Sequence, residues 1–295
     1  MTPRVRSALL TLALVALATA FATGSTFARL SYDSGATALA VNTARSLCAA
    51  AMLVVVLRAQ GVALALPAPI LWRALGLGVF LAAYSWSLFV AIGLMPVALA
   101  IVVFYTWPFM VGIGAWSLGQ ERLTWLWPVA AGIAFVGLGL ALGLGPGTPA
   151  PDAAGVAYAL AGAAGWAVLL LLNRRLVGRS DSRPVTLWML VSAIAVYALA
   201  AVLFDDFRLP ETTVGWAAFA VSAGIYSVLP MSVFVLAAAA GPVRTALVMN
   251  FEPIASMILT ALILDQVLAP LQMFGAVLVV ASLTLARGAS RSVAP

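Results

Sequence analysis

The sequence predicts an all-α membrane protein, with ten transmembrane helices forming two inverted five-helix repeats around a central cavity. Three observations carry that reading: composition, an internal repeat and the placement of arginine. Of 295 residues, 64% are hydrophobic and 8% are charged, and mean hydropathy is +1.13. A soluble domain cannot cover so much apolar surface, so the class is a polytopic membrane protein. The stretch Gly93–Leu123, GLMPVALAIVVFYTWPFMVGIGAWSLGQERL, returns in outline at Gly241–Leu268, GPVRTALVMNFEPIASMILTALILDQVL. Pro96-Val97 matches Pro242-Val243, Ala100 matches Ala246 and Pro108 matches Pro253. Glu121 and Gln266 each stand thirteen residues past their proline. A spacing of about 145 residues between the copies points to a chain built from two halves.

A membrane span takes about 20 apolar residues. Ten such segments are read, near 7–28, 36–57, 72–93, 97–118, 124–144, 153–173, 185–204, 213–238, 243–264 and 268–286. The first segment imitates a secretory leader, with Arg4 and Arg6 ahead of an apolar run and small residues near Ala28. It has a counterpart in the second half and more spans follow, so it is read as span one. The longest break, GLGPGTPAPD at 143–152, is a Pro/Gly-rich linker. The expected domains are a first repeat at 1–145, a linker at 146–152 and a second, inverted repeat at 153–295.

Charge orients the spans. All basic residues are Arg. With the N-terminus in the cytoplasm, Arg4, Arg6, Arg58, Arg73, Arg122, Arg174, Arg175, Arg179, Arg183, Arg244, Arg287 and Arg291 fall inside. The outer side receives Arg29 and Arg208, together with Asp33, Asp152, Asp205, Asp206, Glu211 and Asp265. That asymmetry is a positive-inside signal, and it places both termini in the cytoplasm. Five spans per half is odd, so the second half enters from the opposite side and the repeats are inverted. The net charge of +6 is therefore a topology signal, and no nucleic-acid partner is expected. The expected location is the bacterial inner membrane, multi-pass.

Missing residue types exclude several chemistries. There is no His, and Cys48 is the only cysteine. A Cys/His metal site and an intramolecular disulfide are excluded. No metal or cofactor is expected. A Ser/His pair is impossible and no Asp lies mid-span, so an intramembrane enzyme is not the reading.

The prolines mark functional candidates. Pro108 and Pro253 fall near mid-span in matching places, and Pro230 falls within span eight. Proline removes a helical hydrogen bond and clashes with the carbonyl four residues earlier. The freed carbonyls belong to Phe104, Met249 and Tyr226. At bilayer depth such carbonyls need protein or a wet cavity around them. These kinks are read as the gating points, against the plainer reading that they only aid packing.

Aromatics with polar tips gather on the same spans. Trp72, Trp125, Trp127, Trp188 and Trp216 fit the interfacial belts that Trp and Tyr form at helix ends. Tyr84, Trp86, Tyr105, Trp107, Trp166 and Tyr226 lie deeper, where a belt does not explain them. A buried Tyr or Trp needs a partner for its polar atom, which a cavity or the packed core supplies. Two charges lie within spans, Arg45 and Glu252. Each costs about 2.5–3.5 kcal/mol at a helix centre on insertion scales and so faces the interior. Glu252 could bind an amine, carry a proton, pair with Arg45 or serve the broken turn locally. For Arg45 a structural role is favoured. The candidate substrate-binding set is Tyr84, Tyr105, Trp107, Trp166, Tyr226, Met249 and Glu252. Glycines on spans five and six (Gly132, Gly137, Gly139 and Gly143; Gly155, Gly162 and Gly165) allow close helix approach. The spacing of Gly139 and Gly143 alone does not define a dimer, so a monomer or weak homodimer is expected.

At this point the sequence resembles the drug/metabolite transporter superfamily, EamA type. The residues that carry the resemblance are PVALA…WPF…LGQERL in the first half and GPVRTA…FEPIASMILTALILDQ in the second. AGAAGWAVLLLLNRR opens the second half, and ARSLCAAAMLVVVL in span two holds Arg45 at the family's usual basic position. Through Tyr105, Trp107 and Trp166 the chain is most similar to the YddG-like amino-acid exporters. The resemblance implies a basket of inverted repeats with alternating access and export of neutral or aromatic amino acids. The cavity would be lined by spans one, three, four, six, eight and nine. Gln266 departs from the acidic residue often found there, and Trp107 stands where the second half has Glu252.

The function expected is therefore a secondary transporter exporting small amphipathic metabolites, with membrane lipid and a small-molecule substrate as its partners. The alternatives are a multidrug or other metabolite carrier of the same superfamily, and a non-transporting or lipid-scrambling helical bundle. A sugar-nucleotide carrier would need several buried cations, and only Arg45 is available.

Overall fold

The computed structural model describes residues 3–117, 121–141, 151–176, 181–240, 249, 251–288 and 290–292. Most of the linker, together with Arg179, Pro242, Val243, Arg244 and Ala246, lies outside the described residues. In chain order the elements are α1 (Pro3–Tyr32), α2 (Ala38–Ala59), α3 (Ala68–Leu94), α4 (Val97–Phe104) and α5 (Trp107–Ser117). There follow β1 (Glu121–Leu123), α6 (Leu126–Ala141), α7 (Ala153–Leu176), α8 (Ser182–Phe204) and α9 (Thr213–Ala240). The chain closes with α10 (Glu252–Leu264), α11 (Pro270–Gly288) and β2 (Ser290–Ser292).

Among the described residues, six helical segments are long and apolar enough to cross a bilayer, and four shorter apolar helices accompany them. Large side chains such as Phe135, Val202, Phe204 and Leu262 are exposed on the outside of the bundle, where a soluble protein would be polar. The chain is a multi-pass helical membrane protein. Spans one, two, three, six, seven and eight appear near their predicted positions. Span three begins earlier than predicted, at Ala68, because Pro67 and Pro69 set its first turn. Span four is two helices, α4 and α5, separated by a turn at Tyr105-Thr106. In span nine the described helix is α10, which begins at Glu252.

The helix ends follow their local chemistry. Thr37 caps α2 by accepting from the Ala40 amide. Asp181 caps α8 by accepting from the Arg183 amide at 2.9 Å. Arg29 closes a helix end. Its Nη1 donates to the carbonyls of Ile92 and Gly93 at the end of α3, and its Nε meets Asp33. A cation at a helix C-terminus is favoured by the helix dipole.

Packing is organised around α4. All eight of its residues are buried, and its span is 61% buried, the highest of the six long segments. A helix apolar all round belongs at the centre of a bundle. Around it α3 packs on α7 and α8, while α1 and α2 pack on α9. α1 also meets α10, as α4 and α5 meet α7; α2 meets α8, α4 meets α10 and α6 meets α11. Exchanging each span of the first half with its counterpart in the second maps this set of contacts onto itself.

The α6–α11 crossing is close. A Cβ placed on Gly137 would lie 2.7 Å from the Gly275 carbonyl, and one on Gly275 would lie 2.5 Å from the Gly137 carbonyl. These two glycines occupy the crossing because any side chain there would separate the helices.

A short ribbon departs from the helical pattern that the sequence predicts. β1 and β2 pair antiparallel, with Arg122 opposite Arg291. The segment after α5 is thereby joined to the chain's C-terminal end. Glu121 lies in this ribbon, whereas its repeat mate Gln266 accepts a hydrogen bond from the Val97 amide at the start of α4. The two positions share a place in the repeat but not a role.

Candidate functional site

Both broken spans resume in the same way. α5 begins Trp107-Pro108 and α10 begins Glu252-Pro253. Proline is tolerated in a helix's first turn because the missing N–H has no intrahelical acceptor there. Pro108 therefore starts a new helical segment after the turn at Tyr105-Thr106, and Pro253 stands in the first turn of α10. Pro230 behaves differently, since α9 runs through it to Ala240 without a break. The kink expected there is not seen as an interruption of the helix.

The two breaks meet. Tyr105 follows the last turn of α4, and its hydroxyl lies 2.8 Å from the Met249 carbonyl and 2.9 Å from Glu252 Oε2. Met249 carries the carbonyl that Pro253 was expected to free. That carbonyl was expected to be open to a substrate ammonium, but the Tyr105 hydroxyl occupies it. Nor does Glu252 form an ion pair with Arg45; its bonded partner is Tyr105. A phenol reaches across the bundle where an arginine on α2 does not.

An aromatic array leads away from this junction. The Phe104 ring lies edge-to-face with Tyr105 at 6.4 Å and stacks with Tyr84 at the same distance. Tyr84 is 4.9 Å from Trp166, and Trp166 meets Trp107 edge-to-face at 6.4 Å. Rings from α3, α4, α5 and α7 thus form one surface. Such pairs add about 0.5–1.5 kcal/mol each beyond area burial. Gly162 and Gly165 hold α7 against α3; a Cβ on Gly165 would sit 2.8 Å from Tyr84 Cβ. Tyr226 on α9 packs on the Arg45 guanidinium, with its ring centroid at 4.1 Å. Six of the seven predicted substrate-binding residues, all but Tyr226, are therefore linked through direct contacts and the ring of Phe104.

Trp86 packs edge-to-face on Tyr158 at 5.9 Å, outside this array. The belt residues Trp72, Trp125 and Trp216 are exposed at the helix ends. Trp188 donates to the Leu64 carbonyl, and Trp127 packs on Phe109.

Arg45 lies beside the array on α2 and is buried. Its guanidinium carbon lies 4.1 Å from the ring centroids of both Phe89 and Tyr226. A desolvated cation–π contact contributes about 2 kcal/mol, which goes far to offset the insertion cost of the charge. Its Nε and Nη1 nevertheless have no hydrogen-bond partner among the described residues. A buried donor left so costs about 1–3 kcal/mol. Tyr32 Oη and Ser256 Oγ share that condition. Close by, Ser85 donates to Asn42 Oδ1 at 2.6 Å.

Phe104, Phe89 and Tyr32 were not singled out as side chains by sequence reasoning. A Phe in an apolar span carries no polar signal, and Tyr32 sits at a helix end where a belt residue is expected. A hollow of about 420 Å³ lies at the Pro96 and Gln266 turns, lined by Leu94, Met95, Asp152 and Gln272 among others. It is separate from the aromatic array.

Comparison with known proteins agrees with this architecture. Residues 153–288 match the model of the EamA-like transporter family. An uncharacterized transporter of Synechocystis sp. is 22% identical over 222 residues, covering 74% of this chain and 67% of its own. A protein of known crystal structure superposes with a TM-score of 0.64 at 22% identity, covering 95% of this chain and 96% of its own. That likeness establishes the fold: a helical membrane bundle whose second half matches the EamA-like transporter model.

Proposed function

We propose that the whole chain is an EamA-type transporter of the drug/metabolite superfamily, and that it exports small amphipathic metabolites, above all neutral or aromatic amino acids. The match over residues 153–288 and the similarity to a transporter support the class. The observation that carries the reading is the ring surface of Tyr84, Phe104, Trp107 and Trp166 beside two broken spans. Ring faces suit an apolar or aromatic side chain, and the polar edges of Tyr84, Tyr105 and Tyr226 suit the charged end of a small metabolite.

In mechanism, two inverted five-span repeats alternate access to this site, a plan common among secondary transporters. The packing set that survives exchange of the halves supports such a repeat. The breaks before Pro108 and Pro253 supply the joints, since a segment that ends and restarts swings more readily than a continuous helix. The site is set in the bacterial inner membrane with both termini cytoplasmic, as the arginine distribution indicates.

The test is transport of radiolabelled L-phenylalanine, L-threonine and L-methionine in proteoliposomes bearing the purified protein or its Trp107→Ala variant. Movement above empty liposomes that Trp107→Ala abolishes or retunes is the expected result. No movement of any amino acid removes that substrate class and calls for a wider metabolite panel. Lipid flipping without solute transport supports the scrambling alternative.

A further inference from the structure

We infer that Arg45 is the anion-receiving group of the central site, and that the solute taken there carries a carboxylate. The inference rests on the reading of that site as a solute site and adds the chemistry of its ligand. Arg45 is buried, yet it takes part in none of the ion pairs among the described residues. The acid within the neighbouring spans, Glu252, is bonded to Tyr105 instead. A buried charge ordinarily has a partner. Here Nε and Nη1 remain unpartnered among the described residues.

The geometry around Arg45 is that of a receptor. The Phe89 and Tyr226 ring centroids each lie 4.1 Å from the guanidinium carbon. These ring contacts hold the cation but leave its Nε and Nη1 donors without a hydrogen-bond partner among the described residues. A planar fork of N–H donors matches the two oxygens of a carboxylate. Tyr32 Oη is a further buried polar atom without a partner among the described residues. Tyr226, whose ring contacts the cation, packs against the same apolar cluster as Tyr84 and Trp166. A solute with its carboxylate on Arg45 therefore extends an apolar body over those rings. A phosphate dianion would call for more than one cation, and Arg45 is the one basic residue set well inside a described spanning helix.

The experiment is thermal unfolding of the purified full chain in detergent, followed by tryptophan fluorescence. The probes are L-phenylalanine, 3-phenylpropionate, phenethylamine and sodium phosphate. L-Phenylalanine and 3-phenylpropionate should raise the melting temperature, and phenethylamine and phosphate should not. Arg45→Gln should weaken the response to 3-phenylpropionate roughly tenfold or more, and Arg45→Lys less. Tyr32→Phe leaves the guanidinium in place and should weaken the response roughly three- to tenfold, so the test does not hang on one variant folding.

The inference is overturned if phenethylamine stabilises as well as 3-phenylpropionate does, if both variants keep the full response, or if neither carboxylate stabilises the protein. Carboxylate binding without transport in liposomes would remove the transport reading and leave the anion site. Transport unaffected by Arg45→Gln would do the reverse.

Discussion

Tyr105 Oη stands 2.9 Å from Glu252 Oε2, a bond that spans 147 residues of sequence and ties the broken turn of the first half to that of the second. The same oxygen is 2.8 Å from the Met249 carbonyl. A phenol has one proton, and a carbonyl and an ionised carboxylate are both acceptors. Both contacts become hydrogen bonds when Glu252 donates its own proton to Tyr105 and Tyr105 donates to Met249.

From this follows a pair of expectations. Glu252→Gln keeps a donor at the position, through its amide, and should unfold near the wild-type temperature. Tyr105→Phe leaves the Met249 carbonyl and Glu252 without that partner and should destabilise by about 1–3 kcal/mol. Glu252 is also the one acid within a helix among the described residues, which makes it the group to test for any drive from a proton gradient. Under an imposed pH gradient, Glu252→Gln should lose the acceleration and keep exchange at symmetrical pH. Acceleration that survives in Glu252→Gln would place the coupling elsewhere.

Gly165 is expected to control the aromatic surface without touching solute. Its missing Cβ leaves room for Tyr84, whose own Cβ would otherwise lie 2.8 Å away. Gly165→Ala should push Tyr84 off Trp166 and reduce phenylalanine transport roughly tenfold, a cost of about 1.4 kcal/mol. Overpacking is local, so the protein should still fold. Gly162→Ala, which meets Tyr84 and Leu88 backbone at 3.2 Å, should be milder. Uptake kinetics and tryptophan fluorescence of the two variants check the order.

Topology can be read chemically. After Cys48→Ser removes the native thiol, single cysteines at Gln60 and Asp152 should react with a membrane-impermeant maleimide from opposite sides in intact cells. Asp152 should label from outside and Gln60 only after permeabilisation. The reverse pattern would invert the assignment of the arginines.

At the N-terminus of α8, hydrogen bonding to Arg183 holds the Asp181 carboxyl below the usual carboxylate range. A depressed native value means that the stabilisation is present above the unfolded value, near pH 4, and is lost as pH falls through the native one. The pair is well exposed, so its ionic part is worth little, and the cap itself contributes most. Asp181→Ala should cost about 0.5–2 kcal/mol at pH 7. The difference from wild type should shrink as unfolding is measured toward pH 3.

The long spans were legible because each requires a continuous apolar run, and α1, α2, α3, α7, α8 and α9 lie where such runs lie. The matched prolines marked where span four breaks and where α10 begins, because proline has few tolerated helical positions. Pro230 shows the reach of that argument: α9 runs on through it. The tie between Tyr105 and Glu252 was not legible, since sequence spacing does not say which residues of different spans share a depth. Nor was the pairing of Glu121–Leu123 with Ser290–Ser292, which three-residue segments cannot signal by periodicity. Arg45 was legible as a buried charge, but its rings were not, because Phe89 and Tyr226 reach it from two other helices.

The Gly137–Gly275 crossing also bears on how the molecule is assembled. The helix that ends the first half finds its close partner in the last helix of the chain. During synthesis α6 enters the membrane early and waits, its glycine face against lipid, until α11 emerges. Small residues gain nothing from lipid and everything from a matching backbone. The α6–α11 seam therefore closes only once α11 is made, and a nascent chain cut short before Gly275 is left with that seam open for quality-control machinery to recognise.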